Sequence, residues 1–155
     1  HQVEEVLNYV RTTPMILNPY SINQTLKEAI DTLDIPSNIE IIIPKNDITL
    51  NFDHEKILIV FVNIILNAIQ SIDKNDGRIS IEIHETSSDV TLNFENSGPN
   101  ISSKDLKHLF DTLFTTKLEG TGLGLSSCKN IIEQHNGTIS AKSDPVIFSI
   151  KLPKS

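Results

Sequence analysis

Apolar residues run almost unbroken from Ile57 to Ile72, a length and spacing that predict a buried helix. Asn63 and Asn67 interrupt that run four residues apart, which stacks them on one helix face. Asparagine is a mediocre helix former because its amide competes for backbone groups, so the pair asks for a reason beyond packing. A polar stripe facing a loop is the plain alternative. Upstream, Val3, Val6, Leu7 and Val10 recur at helical spacing and read as the end of an amphipathic helix over residues 1–13. Residues 14–20 read as a connector, and 21–155 as the body of the domain. Ser21 and Gln24 have capping-box spacing, and the helix they open carries Ile22, Leu26, Ala29, Ile30 and Leu33 on one face.

Ile39 to Ile43 and Ile48 to Phe52 predict short strands, and Asp53 an N-cap for the central helix. Ile79, Ile81 and Ile83 alternate along one strand, Val90, Leu92 and Phe94 along the next, forming a hairpin across Thr86 to Asp89. A short helix over Lys104 to Phe110 follows. A second apolar helix ends at His135 before Asn136-Gly137, and Thr138 to Ser143 and Val146 to Leu152 close the chain as a hairpin. The pattern gives an α+β class: a two-layer α/β sandwich in which three main helices cover one face of a mixed sheet.

Composition narrows the function. At 155 residues the chain is one domain with a core of Ile, Leu and Val, since aromatics are only 5% and Trp is absent. A net charge of −7 argues against a general nucleic-acid binder, which needs a basic face. The single Cys128 excludes an internal disulfide or a cysteine-rich zinc site and fits a reducing compartment. No apolar stretch of membrane-spanning length is free of polar residues, so no membrane contact is expected of this fragment.

The chemistry is concentrated in glycines. Gly120, Gly122 and Gly124 alternate just before the last helix, where bare backbone amides and the helix dipole suit phosphate oxygens. Alone the pattern is weak: it follows no strand, as a dinucleotide fingerprint would, and lacks the Gly-Lys-Ser/Thr ending of a P-loop. Taken with three other segments, it resembles the ATP-binding catalytic domain of sensor histidine kinases, in the superfamily shared with gyrase, a heat-shock chaperone and mismatch-repair ATPases. Asn63-x-x-x-Asn67-Ala68 resembles the N box and Asn96 to Ile101 the first glycine box. Leu109 to Lys117 is similar to the F box, and Gly120 to Leu125 to the second glycine box.

The resemblance implies the superfamily's Bergerat fold, ATP and Mg²⁺ as cofactors, and a cytoplasmic location. It implies that Asn67 coordinates Mg²⁺ through its amide oxygen and that Lys117 meets the phosphates, an ordinary solvated lysine being the plain alternative. The nucleotide would be held by Asn67, Asn96, Gly98, Asn100, Phe114, Thr115, Lys117, Gly120, Thr121, Gly122, Leu123, Gly124 and Leu125, with residues 102–120 as a mobile lid. Asn63 stands where the family's ATPases carry a water-activating glutamate; an amide has no useful basicity, which favours phosphoryl transfer over hydrolysis. The implied acceptor is a histidine on a dimerisation segment, of which residues 1–13 would be the end, and the next partner a response regulator receiver domain.

Two positions depart from the family. Asn96 replaces an adenine-reading aspartate; Glu95 cannot substitute, because strand parity turns it to the opposite face. Asn100 replaces a glycine and is expected to take positive φ. The family's last Gly-Thr segment is missing from Ser143 to Val146. His54, despite its acidic follower Glu55, is expected on the surface, and His84, His108 and His135 to be structural or solvated. A non-catalytic nucleotide-binding scaffold and a serine kinase of the same superfamily are the alternative readings.

Overall fold

The structure, a computed structural model, describes residues 14–111 and 122–154. Five strands form one mixed sheet: β2 (Ile39–Ile42), β4 (Gly77–Glu85), β5 (Asp89–Asn96), β7 (Val146–Pro153) and β6 (Thr138–Lys142), in that spatial order. The β4–β5 and β6–β7 hairpins fall where the alternation put them. β2 lies parallel to β4, a pairing that needs a long crossover and leaves no local mark in sequence. The helices are α1 (Ile22–Thr32), α2 (His54–Ile72), the short α3 (Ser103–His108) and α4 (Gly122–Gln134).

One sheet face carries Ile79, Ile81, Val90, Leu92, Phe94, Phe148 and Ile150, all buried against the helices. The other face presents Glu82, Glu95 and Lys151 to solvent. The two-layer expectation therefore holds for the main sheet. Long helix α2 is the centre of the core, with Ile57, Val60, Phe61, Ile64 and Ile65 buried, and it packs against both α1 and α4. By length and composition it is the one helix among the described residues apolar enough to cross a membrane; its burial is that of a core helix.

Two expectations change. Residues 18–20 are not connector: β1 (Asn18–Ser21) pairs antiparallel with β3 (Thr49–Phe52) in a separate two-stranded sheet. Pro19 concealed this strand, and only the distant partner reveals it. Ser21 does cap α1, its Oγ accepting from Gln24 N at 3.1 Å, and it also donates to Asp47 Oδ2 at 2.5 Å. Burial pushes the Asp47 carboxyl up, but the Ser21 hydroxyl, the Asn23 and Ile48 amides and nearby Lys27 outweigh it and hold the pKa low. Finally, His54 is half-buried rather than a surface residue, its Nε2 against Glu28 and its ring centroid 4.7 Å from that of Tyr20. The predicted helix over residues 1–13 lies outside the described residues.

The amino end of α2 is a buried polar knot. Asp53 caps the helix, with Oδ1 accepting from Lys56 N at 3.1 Å and Oδ2 from Ile16 N at 3.0 Å. Its own N–H donates to His135 Nε2 at 3.0 Å, while His135 Nδ1 faces the Ile131 carbonyl at 2.8 Å. Burial first of all lowers the His135 pKa; the neighbouring Lys56 pushes the same way against Ile131 and Asp53. His135 is thus structural, as expected. Beyond it Asn136 takes φ 60, and Gly137 N bonds Ile132 O at 2.9 Å in a Schellman arrangement.

Candidate functional site

The carboxyl half of α2 presents a polar stripe. Asn67 follows Asn63 by four residues, and Gln70 and Ser71 continue the face one turn later. Asn63 Nδ2 donates to the Ile59 carbonyl at 2.8 Å, so its carboxamide is anchored on its own helix. Both described glycine-box segments approach this stripe.

From one side comes β5. Val90, Leu92, Phe94 and Asn96 are buried and Glu95 is exposed, so strand parity holds to the end and Asn96 faces the core. Asn96 Oδ1 accepts from Gly98 N at 2.9 Å, folding the chain sharply past the strand end. A Cβ on Gly98 would stand 2.9 Å from that oxygen and 3.1 Å from Ser71 Cβ, so only glycine lets the segment lie against α2. Ser97 locks the turn to β4, its Oγ accepting from Arg78 N at 2.8 Å.

Asn100 is not left-handed: among the described residues, the non-glycine positions with positive φ are Asp73, Asn136 and Asp144. Instead Asn100 Oδ1 accepts from Asp144 N at 3.2 Å, and Ser143 Oγ accepts from Ile101 N at 2.7 Å. The turn that lacks the family's Gly-Thr segment therefore holds the first glycine box by side-chain bonds. Sequence reading missed Ser143 and Asp144 because neither touches the motif along the chain.

From the other side comes α4. It begins at Gly122, inside the second glycine box, so Gly122, Leu123, Gly124 and Leu125 all belong to its first turn. A Cβ on Gly124 would lie 3.1 Å from Asn63 Cγ and closer still to its Oδ1. That close approach brings the helix N-terminus, with its partial positive charge, beside the Asn63 level of α2. Leu125 is buried, and Cys128 Sγ sits 3.9 Å from the Val60 carbonyl, with burial pushing its thiol up to about 12. The cysteine is therefore a small core residue and not a nucleophile.

The F-box segment is described at its start alone. Leu109 is buried and the Phe110 ring meets Phe148 edge-on at 6.2 Å. His108 pairs with Asp111 at 2.8 Å on the surface. Phe114, Thr115, Lys117, Gly120 and Thr121 lie outside the described residues, as does most of the implied lid. Among the described residues no group of three His, Cys, Asp or Glu could hold a metal, so a cation here would have amide or ligand oxygens. A separate cavity of about 190 Å³, lined by Leu17, Phe52, His135 and Leu152, lies at the other end of α2.

The site has relatives. Residues 52–155 match the family model described as histidine kinase-, DNA gyrase B-, and HSP90-like ATPase. Sensor histidine kinase ZraS of Escherichia coli strain K12 is 34% identical over 146 residues, 91% of this chain and 31% of its own length. The chain thus spans about a third of that curated relative. The catalytic domain of histidine kinase ThkA superposes with a TM-score of 0.82 at 32% identity, covering 90% of this chain and 97% of that one. ThkA in complex with the response regulator protein TrrA matches at TM-score 0.83 and 28% identity, over 99% of this chain and 46% of that one. The chain belongs to the histidine kinase-, DNA gyrase B- and HSP90-like ATPase family, as an ATP-binding catalytic domain of the sensor histidine kinase type.

Proposed function

We propose that this domain holds Mg·ATP against the polar stripe of α2 and transfers its γ-phosphoryl to a histidine on a separate dimerisation segment of its own longer chain. A response regulator receiver domain then takes the phosphoryl group, a role that the likeness to the ThkA–TrrA complex supports. On this reading the reaction is cytoplasmic.

The observation that carries it is the convergence of both glycine segments on one helix face, Gly98 at Ser71 and Gly124 at Asn63. Bare backbone at two points lets both segments, and with them the amides at the α4 N-terminus, close on the α2 face where a phosphorylated ligand would lie. Asn67 offers a neutral hard oxygen suited to Mg²⁺, which usually keeps several waters and shares the phosphates. Asn96 would accept from the adenine amino group with the lone pair left beside its Gly98 bond. Lys117 would add positive charge, with Phe114, Thr115, Asn100, Gly120, Thr121, Gly122, Leu123 and Leu125 completing the nucleotide's surroundings.

Asn63 explains the choice of acceptor. Its carboxamide carries no basic lone pair near neutral pH, and its NH₂ is bonded to the Ile59 carbonyl. It can position Gly124 but cannot take a proton from water. Hydrolysis therefore lacks a base at this position. In the transfer, an imidazole nitrogen of the acceptor forms the bond to the γ-phosphorus as the bond to the ADP oxygen breaks. The acceptor supplies its own nucleophile.

The test is to mix the domain with the purified dimerisation segment, Mg²⁺ and γ-labelled ATP. Label on the segment's histidine, stable to base and lost in acid, is the expected result. An unlabelled segment under conditions where calorimetry registers ATP binding would overturn the transfer.

A further inference from the structure

Asn96 ends β5 between two strands that can do nothing for its side chain. The register sets it opposite Ile79 of β4 and Val146 of β7, both aliphatic and buried. Asn96 itself is only 3% exposed. Its Oδ1 accepts from Gly98 N at 2.9 Å. A backbone N–H only donates, so this bond fixes which end of the carboxamide is oxygen. The NH₂ at the other end donates to no atom among the described residues. Nor is it sealed away: the enclosed side-chain atoms without a partner are Asn23 Oδ1, Gln70 Oε1 and Ser127 Oγ. The free donor therefore keeps an open edge at the end of β5, where Gly98 lies against Ser71 of α2. A carboxamide this deeply buried normally has its hydrogen bonds met, and here half of them wait for a ligand.

The chemistry left on the amide is a lone pair on Oδ1 beside the N–H groups of Nδ2. Such an edge meets a neighbouring donor and acceptor on a base. Adenine supplies them as its 6-amino group, donating to Oδ1, and its N1, accepting from Nδ2. A 6-oxopurine supplies them the other way round, as N1–H donating to Oδ1 and O6 accepting from Nδ2. Each base makes two bonds. A carboxylate has no such second mode, because it only accepts and sets an oxygen against O6.

Resting on the nucleotide reading above, we infer that Asn96 makes the site permissive at position 6 of the purine, so that the domain takes inosine and guanosine triphosphates alongside ATP. Asn96 is then the residue that sets base specificity, and asparagine in place of aspartate is what widens it. The transfer is otherwise the same: the bond from the γ-phosphorus to the diphosphate oxygen breaks, and the matching nucleoside diphosphate leaves.

The experiment titrates ATP and ITP, each with Mg²⁺, into the intact 155-residue chain and its Asn96→Asp variant by calorimetry. ITP carries N1–H and O6 without the 2-amino group of guanine, so it tests this edge alone. Asp keeps an oxygen for Gly98 N–H, which preserves the turn. In the wild type the two dissociation constants should differ by less than about fivefold, the worth of one neutral hydrogen bond. In Asn96→Asp they should part by at least about tenfold, ATP tightening and ITP weakening.

A wild type that binds ITP more weakly than ATP by more than that fivefold margin would overturn the inference and leave the ATP reading standing. A variant that shifts both nucleotides equally would overturn it too, by showing that position 96 does not choose the base. Failure of the wild type to bind either nucleotide would bring down the nucleotide reading itself.

Discussion

At the amino end of α2, the Asp53 carboxylate receives the Lys56 and Ile16 amides, His135 takes the Asp53 amide, and Lys56 Nζ reaches Gln134 Oε1 at 3.3 Å. Toward the carboxyl end, Asn63 is anchored, yet Gln70 Oε1 is shut away from water with nothing to accept. Both ends are polar groups inside a hydrophobic helix. One is closed on itself, and its residues explain one another. The other keeps an unmet acceptor, whereas close glycine contacts occur at both, Gly124 against Asn63 and Gly137 against the Lys151 carbonyl. Neither motif nor charge separates a structural polar cluster from a ligand-facing one as well as this unfilled capacity does.

The contrast is most exposed at Asp53. Asp53→Ala removes a helix cap and strands two amides, and should cost about 3 kcal/mol by urea denaturation. ATP affinity of the folded fraction should not move. If affinity falls in step, the two ends are coupled and the distinction fails. Gly124→Ala comes next. Its methyl displaces Asn63 from Ile59, for an expected loss of about 2 kcal/mol. Asn63→Ala in the same chain should recover most of that in a double-mutant cycle; additive losses would mean that Gly124 is required for another reason.

Asn67→Ala tests the ligand-facing end directly. Mg·ATP affinity should drop at least about tenfold, while stability changes by less than about 1 kcal/mol. An unfolded variant would return Asn67 to the structural class.

Acid sharpens the structural end. The folded His135 titrates below the 6.5 of a free imidazole, because protonation is disfavoured by burial and would set Nε2–H against the Asp53 N–H. The unfolded chain then binds the extra proton. Stability is complete above about pH 6.5 and falls as pH drops toward the folded pKa, by no more than about 1.4 kcal/mol per unit. His135→Gln should flatten that slope in denaturant midpoints measured from about pH 7 down to about pH 5, across and below the pKa of a free imidazole. An unchanged slope would assign it to other groups.

The smallest effect is expected at Asn96. Asn96→Asp should strengthen ATP binding by about 1 kcal/mol, roughly fivefold, because a charged acceptor replaces a neutral one. GTP should gain nothing, since its base presents a carbonyl where adenine presents an amino group. Equal gains for both nucleotides would show that position 96 does not read the base.

Whatever rests on short-range periodicity was legible in the chain. The α2 run, the Asp53 cap, the β4–β5 hairpin and the opposite facing of Glu95 and Asn96 all follow from spacing within a few residues. What could not be read depends on partners far away. β1 exists because Leu50 and Asn51 lie beside Pro19 and Tyr20. β7 slots between β5 and β6, although β6 comes first in the chain. His54 becomes half-buried because β1 and α1 bring Tyr20 and Glu28 to it. At the site, the ordered motifs pointed to Asn67, Asn96, Gly98 and Gly124, but the unmet acceptor of Gln70 left no mark in the pattern. An unfilled hydrogen bond is a property of surroundings, and no spacing rule encodes it.

The two glycine contacts also bear on how the chain between them can vary. Gly98 and Gly124 rest on Ser71 and Asn63, which lie on one rigid helix about 12 Å apart along its axis. The ends of the intervening stretch are thus fixed to the same rod, whatever its length. Closing a loop between fixed points becomes costlier only with the logarithm of its length, about 0.6 kcal/mol for each doubling. Moving either glycine anchor, by contrast, changes the span itself, so the two contacts and not the number of residues between them set what that stretch must bridge.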